Sequence, residues 1–163
     1  MPPILSIVGK KKSGKTTLIE KILTHLSERG LRCATVKHDV HRFMIDHEGK
    51  DTYRHQQAGA AAVLISSPEK FALIKKTEGQ LTLDELVATY LSEYDLVITE
   101  GWSSADKPKI EVVRTERGAI CQSEQLLATS GPLDPQMNIP YFNWNDIPTL
   151  CEFIIKNFRI NSL

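Results

Sequence analysis

Ile4-Leu5-Ser6-Ile7-Val8 followed by Gly9-Lys10-Lys11-Lys12-Ser13-Gly14-Lys15-Thr16-Thr17 is the stretch that decides the fold. A short apolar run, read as a buried strand, breaks at a basic loop bounded by glycines and continues as an amphipathic helix. This is a complete G-x-x-x-x-G-K-[ST] phosphate loop in its proper strand-loop-helix context. Gly9 and Gly14 allow turn conformations closed to larger residues and let backbone N–H groups approach phosphate oxygens, at which the helix that follows points its positive end. Residues Gly9, Lys10, Lys11, Lys12, Ser13, Gly14, Lys15, Thr16 and Thr17 are therefore the candidate nucleotide-binding set. Lys15 is placed to reach the β- and γ-phosphates. Thr16 is placed to put its hydroxyl on Mg²⁺, a hard cation that keeps several waters and few protein ligands.

Working outward, Leu18, Ile19, Ile22, Leu23 and Leu26 recur at helical spacing, and Gly30 stands where a left-handed cap ends a helix. Leu31 to Lys37 reads as a second strand, completing a βαβ opening that calls for a right-handed crossover and a parallel sheet. The pattern dissolves from His38 to Thr52, a length of loop that is uncommon unless functional, and Tyr53 to Gly59 reads as a short helix. Ala61 to Ser66 and Phe71 to Lys75 read as a hairpin turning at Ser67-Pro68-Glu69. Thr82-Leu83-Asp84-Glu85 has capping-box spacing ahead of a helix with Leu83, Leu86, Val87 and Tyr90 on its apolar face. Asp95 to Gly101 is a buried strand ending in an acid. Further strands are expected at Ile110 to Thr115, Leu126 to Thr129 and Pro140 to Asn143. Asn145 is expected to cap a closing helix that buries Ile147, Leu150, Phe153, Ile154 and Phe158. Strands alternating with helices predict an α/β class protein: a three-layer P-loop NTPase fold, mostly parallel sheet with flanking helices, as one domain over 1–163.

The bulk properties bound the partners. The chain of 163 residues is 41% apolar and 25% charged, with 20 basic and 20 acidic side chains, which suits a globular domain and argues against a nucleic-acid-binding surface. No run approaches the roughly 20 apolar residues of a membrane span. Met1-Pro2-Pro3 leads straight into the first strand without the charged and apolar regions of a signal peptide, so a cytoplasmic protein is expected. Cys33, Cys121 and Cys151 are far apart and read as reduced, buried thiols.

In an open parallel sheet, ligands sit beyond the carboxyl ends of the strands. Glu100, at the end of its strand, is a candidate to hold the Mg²⁺ water shell. Asp39 is a second candidate, for metal or for orienting an attacking water. Lys15, Asp39 and Glu100 are thus the candidate catalytic residues, and Thr16, Asp39 and Glu100 the candidate metal site. His38, His41, His47 and His55, with Asp39, Asp46 and Asp51, could instead form a transition-metal site or a polar switch loop that orders around nucleotide. The N-K-x-D signature of many GTPases is missing, so no motif identifies the base.

The set Gly9-x-x-x-x-Gly14-Lys15-Thr16-Thr17-Leu18, Val36-Lys37-His38-Asp39-x-His41, Asp46-x-x-Gly49-Lys50-Asp51-Thr52-x-Arg54, Ala58-Gly59-Ala60, Glu100-Gly101-Trp102 and Pro108-Lys109-Ile110-Glu111-Val112 resembles MobB, the molybdopterin-guanine dinucleotide biosynthesis protein B family. The resemblance implies a GTP-binding accessory protein with weak Mg²⁺-dependent GTPase activity. Its expected partner is the guanylyltransferase (MobA-type) that attaches GMP to molybdopterin, with molybdopterin itself as a further candidate ligand. A homodimer is implied, as is kinship with dethiobiotin synthetase and metal-insertion GTPases, relatives in which a lysine often holds the place of Lys10. A small-molecule kinase or ligase, and a metal-delivery GTPase, are the alternatives that the same loop would serve.

Overall fold

A computed structural model describes residues 1–38, 44–114, 121, 124–132, 134–135 and 137–161. It divides into two compact units, Met1–His38 with Leu83–Leu163, and Asp39–Thr82. In the first unit the described strands are β1 (Ile4–Val8), β2 (Cys33–Lys37), β5 (Leu96–Glu100), β6 (Lys109–Val112), β7 (Leu126–Gly131) and β8 (Tyr141–Asn143), with helices α1 (Lys15–Glu28), α3 (Leu83–Tyr90) and α4 (Ile147–Phe158). The second unit holds α2 (Asp51–Gln57) and the strands β3 (Ala62–Ser66) and β4 (Phe71–Lys75).

The sheet of the first unit runs β2-β5-β1-β6-β7-β8 and every pairing in it is parallel. Alternation along the strands sends side chains to two faces. Leu5, Ile7, Ile98, Ile110 and Val112 meet Leu18, Ile22 and Leu26 of α1 and Leu150 and Ile154 of α4. Ile4 and Val97, on the other face, meet Leu83 and Val87 of α3. The expected three-layer α/β architecture is thus present, with the phosphate-loop strand β1 central, where both faces are covered. The row Thr99, Ser6, Lys109 crosses the α3 face, and the Thr99 hydroxyl donates to Ser6 Oγ at 2.9 Å, which satisfies one polar pair inside an apolar layer.

Local reading and structure differ in a few places. Helix α4 is capped by Asp146, whose Oδ1 accepts from the Thr149 N–H at 3.4 Å, while Asn145 Oδ1 accepts from Lys21 Nζ. The cap sits one residue later than expected because Asp146 stands three residues before the N–H it satisfies. On α3, Tyr90 is exposed and Leu91 packs against Leu83 and Val87, since a register of four keeps the stripe on the sheet better than the expected 83, 86, 87, 90 set. Helix α2 starts at Asp51, two residues before the expected Tyr53. The Thr52 hydroxyl donates to Asp46 Oδ1 at 3.0 Å, pinning its first turn. β7 runs two residues past Thr129, to Gly131. Thr115, the expected end of the strand at Ile110, lies outside the described residues.

The hairpin forms as expected, with Ser67 N–H donating to Lys70 O at 2.8 Å across the turn. Its two faces differ. Val63, Ile65, Ala72 and Ile74 line a cavity of about 390 Å³ closed by Ile45, Asp46 and the start of α2. Leu64, Phe71 and Leu73 point the other way and are 58%, 71% and 41% exposed, while on the cavity side Val63 is buried and Ile65 is 57% exposed at the rim. Val63 is buried and so belongs to no exposed apolar surface.

Cys33 and Cys151 are free thiols. Burial, with Asp95 adding to it, pushes the Cys33 thiol up to about 11, and burial pushes Cys151 up to about 12 against the opposing pull of Arg29. Both therefore stay protonated near neutrality, which keeps them poor nucleophiles.

Candidate functional site

The loop between β1 and α1 is shaped by residues that only glycine, or a backbone under strain, allows. Gly9 has φ +139, and a Cβ there would lie 2.7 Å from Val112 O and 2.9 Å from Ser13 Oγ. Gly14 has φ +102 at the N-cap of α1, a position that supplies no side-chain cap. The first turn of α1 contains no acidic residue. Its N–H groups and helix dipole are left to face whatever the loop holds, which favours an anion. Lys12 adopts φ +63, a left-handed conformation uncommon for a non-glycine residue. Ser13 N–H donates to Lys10 O at 3.2 Å, and Ser13 Oγ is buried without a hydrogen-bond partner among the described residues.

Lys15 Nζ folds back over this loop, donating to Gly9 O at 3.1 Å and Lys10 O at 2.8 Å. Its ammonium thus stands inside the curl of the loop, where phosphate oxygens would compete with these two carbonyls. Thr16 Oγ1 lies 3.2 Å from both carboxylate oxygens of Glu100, a contact made across 84 residues of chain. The parallel register explains it: Ile7 pairs with Glu100, so β5 delivers its terminal acid beside the start of α1. A threonine hydroxyl and a carboxylate at this separation fit a small, mostly water-ligated cation. The phosphate-loop residues and Glu100 are thereby brought together. Asp39 and His41 lie outside the described residues. Among the described residues, no group of three or more His, Cys, Asp or Glu side chains is gathered closely enough to hold a metal ion by itself.

His38 closes the edge of the site. Its N–H donates to Glu100 O at 2.8 Å and its ring packs on Trp102 with centroids 4.7 Å apart. Gly101, at φ +94, makes this approach possible, since a Cβ there would stand 2.5 Å from His38 O.

Two residues that the sequence reading did not single out brace the loop. Trp144, just past β8, lies 3.2 Å from where a Gly14 Cβ would be, and its carbonyl accepts from Lys21 Nζ at 3.0 Å. Arg114 stacks over the Trp144 ring at 5.2 Å and donates to Lys12 O at 3.4 Å. The guanidinium adds positive potential on the same side as Lys15. Both follow strands of the parallel sheet, and that position was the one available signal.

The model of the family described as "Molybdopterin guanine dinucleotide synthesis protein B" (MobB) matches residues 4–130. A molybdopterin-guanine dinucleotide biosynthesis adapter protein from Haemophilus influenzae is 34% identical over 157 residues, covering 93% of this chain and 87% of that protein. Its counterpart from Escherichia coli is 28% identical, covering 96% and 93% respectively. A crystal structure of molybdopterin-guanine biosynthesis protein B superposes with a TM-score of 0.80 at 38% identity, over 96% of this chain and 99% of that one. Among the described residues, no helix is long and apolar enough to cross a membrane.

Proposed function

The chain belongs to the MobB family, and from that membership we propose that it is a GTP-binding adapter of molybdenum cofactor biosynthesis. In this reading it assists the attachment of GMP to molybdopterin and hydrolyses GTP weakly with Mg²⁺. The observation that carries the nucleotide part is the meeting of Thr16 and Glu100 beside a complete phosphate loop. Backbone N–H groups of residues 10–16 and the α1 dipole bind the phosphates, and Lys15 leaves the Gly9 and Lys10 carbonyls to neutralise the β- and γ-oxygens. Mg²⁺, when bound, would supply neutralisation of the phosphate charge. Thr16 and Glu100 hold its place, and Asp39 remains a candidate for the same shell or for orienting water.

An equilibrium titration of GTP, GDP and ATP with Mg²⁺ tests the nucleotide, and GMP transfer with and without the guanylyltransferase tests the adapter role. Binding of ATP in preference to GTP, or a transferase indifferent to the added protein, would overturn the reading. The two metal-side residues separate further. Thr16→Ala is expected to reduce the Mg²⁺-dependent part of GTP affinity about tenfold, roughly 1.4 kcal/mol, while leaving metal-free binding within twofold. Glu100→Gln is expected to slow hydrolysis more than it weakens binding. Equal losses with and without metal for Thr16→Ala, or normal turnover by Glu100→Gln, would remove these assignments.

The adapter works as a homodimer in this reading, joined through the β3-β4 hairpin in the cytoplasm. Leu64, Phe71 and Leu73 form an exposed apolar face on a sheet that has two strands among the described residues, and edge strands offer backbone groups to a partner strand. A two-fold axis lets that surface meet itself. Leu64→Lys with Leu73→Lys is expected to turn the dimer into a monomer by sedimentation at micromolar concentration. A wild type that is monomeric throughout, or a double variant that dimerises unchanged, would place the contact elsewhere or remove it.

A further inference from the structure

Ser13 is 5% exposed, and its hydroxyl has no hydrogen-bond partner among the described residues. It lies hard against Gly9, since a Cβ on that glycine would stand 2.9 Å from Ser13 Oγ. Gly9 and Lys10 supply the carbonyls that accept from Lys15 Nζ, at 3.1 and 2.8 Å, so both converge on one ammonium. The Ser13 N–H is already committed to Lys10 O at 3.2 Å, which closes the turn Lys10-Lys11-Lys12-Ser13. Lys12, the third residue of that turn, has φ +63, in a place that ordinarily goes to glycine or asparagine. The free loop is thus strained at Lys12 and one hydrogen bond short at Ser13.

A hydroxyl buried without a partner is costly, and so is a buried carbonyl stripped of its donor. In the free chain the first cost is present and the second is not, because Lys15 serves the Gly9 carbonyl. A phosphate that draws Lys15 away leaves that carbonyl without a donor, next to a hydroxyl without an acceptor. The Lys10 carbonyl meets Lys15 in exposed surroundings, where water can replace the ammonium, whereas the contact at Gly9 is half-buried. A change of rotamer at Ser13 then serves the Gly9 carbonyl without moving the backbone.

We propose that Ser13 is a positioning residue of the phosphate loop, whose hydroxyl is orphaned while Lys15 clamps the loop and takes over the Gly9 carbonyl when Lys15 turns to an anion. The inference rests on the nucleotide-binding reading above and adds to it the device that releases Lys15. Free and loaded chains differ by one loop hydrogen bond in favour of the loaded one. Part of the affinity therefore comes from a side chain that touches no ligand.

The test is a double-mutant cycle, read first without any ligand. Thermal melts compare the wild type, Ser13→Ala, Lys15→Ala and the two substitutions together. Ser13→Ala is expected to raise the Tm of the free chain by about 2–4 °C, because it removes an orphaned hydroxyl. In the Lys15→Ala background the same substitution is expected to lower Tm by a similar amount, because there the hydroxyl already bonds to the vacated carbonyl. Should Lys15→Ala not fold, Lys15→Met, which keeps the apolar stem, takes its place in the cycle. Isothermal titration with GTP and Mg²⁺ is the second reading, in which Ser13→Ala is expected to bind about tenfold more weakly than the wild type. A Tm change of the same sign in both backgrounds overturns the proposal, as does a Ser13→Ala chain that melts below the wild type or does not fold. GTP affinity of Ser13→Ala within about twofold of the wild type overturns it as well. The reversal of sign in a chain that binds no GTP supports the exchange and overturns the nucleotide reading alone.

Discussion

Lys15→Ala is expected to weaken GTP binding about a hundredfold or more, roughly 3 kcal/mol, while the fold survives. The ammonium lies within 3.1 Å of two loop carbonyls. A charge-assisted hydrogen bond to phosphate is worth about 1.5–3 kcal/mol, and Lys15 is placed to make more than one. Its loss is not replaced by Lys10, Lys11 or Lys12. Lys10, Lys11 and Lys12 are exposed, and an exposed lysine contributes mainly a screened field. The fold survives because Lys15 belongs to neither apolar cluster. Isothermal titration of GTP with a thermal melt of the same sample reads both halves. GTP affinity unchanged in a well-folded variant would remove the phosphate-loop assignment and with it the nucleotide half of the proposed function.

Gly131→Ala is expected to be the most damaging small substitution for stability. A Cβ at Gly131 would land far inside van der Waals contact distance of Val113 O and 2.9 Å from the Val113 carbonyl carbon, so the obstruction is backbone on one side and strand on the other. Neither can swing aside as a flexible side chain would. Val113 N–H donates to Ser130 O at 2.8 Å, and Gly131 O accepts from Tyr141 Oη at 2.9 Å and Trp144 N at 3.2 Å. One methyl group therefore parts β6 from β7 and loosens β8 with them. Overpacking usually costs about 1–3 kcal/mol, and parted backbone hydrogen bonds add to it, so a loss of about 3 kcal/mol or more is expected. For a chain of this size that lowers Tm by about 6–12 °C. The strain also reaches the site, because Val112 O is the atom against which Gly9 is packed. Gly79→Ala is the control: nothing lies within 4 Å of its Cβ, and a change within about 0.5 kcal/mol is expected. A Gly131→Ala variant that melts with the control would show that the strand ends can separate freely.

These two substitutions differ in how readable they were. Lys15 is legible because its meaning is local: two glycines, a lysine and a threonine at set spacing between an apolar run and an amphipathic helix. Gly131 carries no such signal. Its importance comes from Val113, eighteen residues earlier in the chain, and from a register visible only when β6 and β7 lie side by side. The same division runs through the site. Glu100 is readable as an acid closing a buried strand, but its 3.2 Å approach to Thr16 depends on β5 pairing with β1. Arg114 and Trp144 looked like ordinary loop residues, and Ser13 like one more place in the motif.

By itself, then, the sequence determined the elements whose physics is contained within a turn or two of chain. These are the strand-loop-helix that cradles an anion, the left-handed cap at Gly30, the alternation of strands and helices that demands a parallel sheet, and the hairpin. Tertiary structure alone decided the order β2-β5-β1-β6-β7-β8 and which face each side chain takes. It also decided the split of the hairpin into a lined face and an exposed one, and the packing of Gly9 against Val112 O. Pairing between distant strands is selected by the burial of whole faces at once, so no short stretch carries the information, and a shift of one residue would turn Glu111 into the core and Val112 out of it.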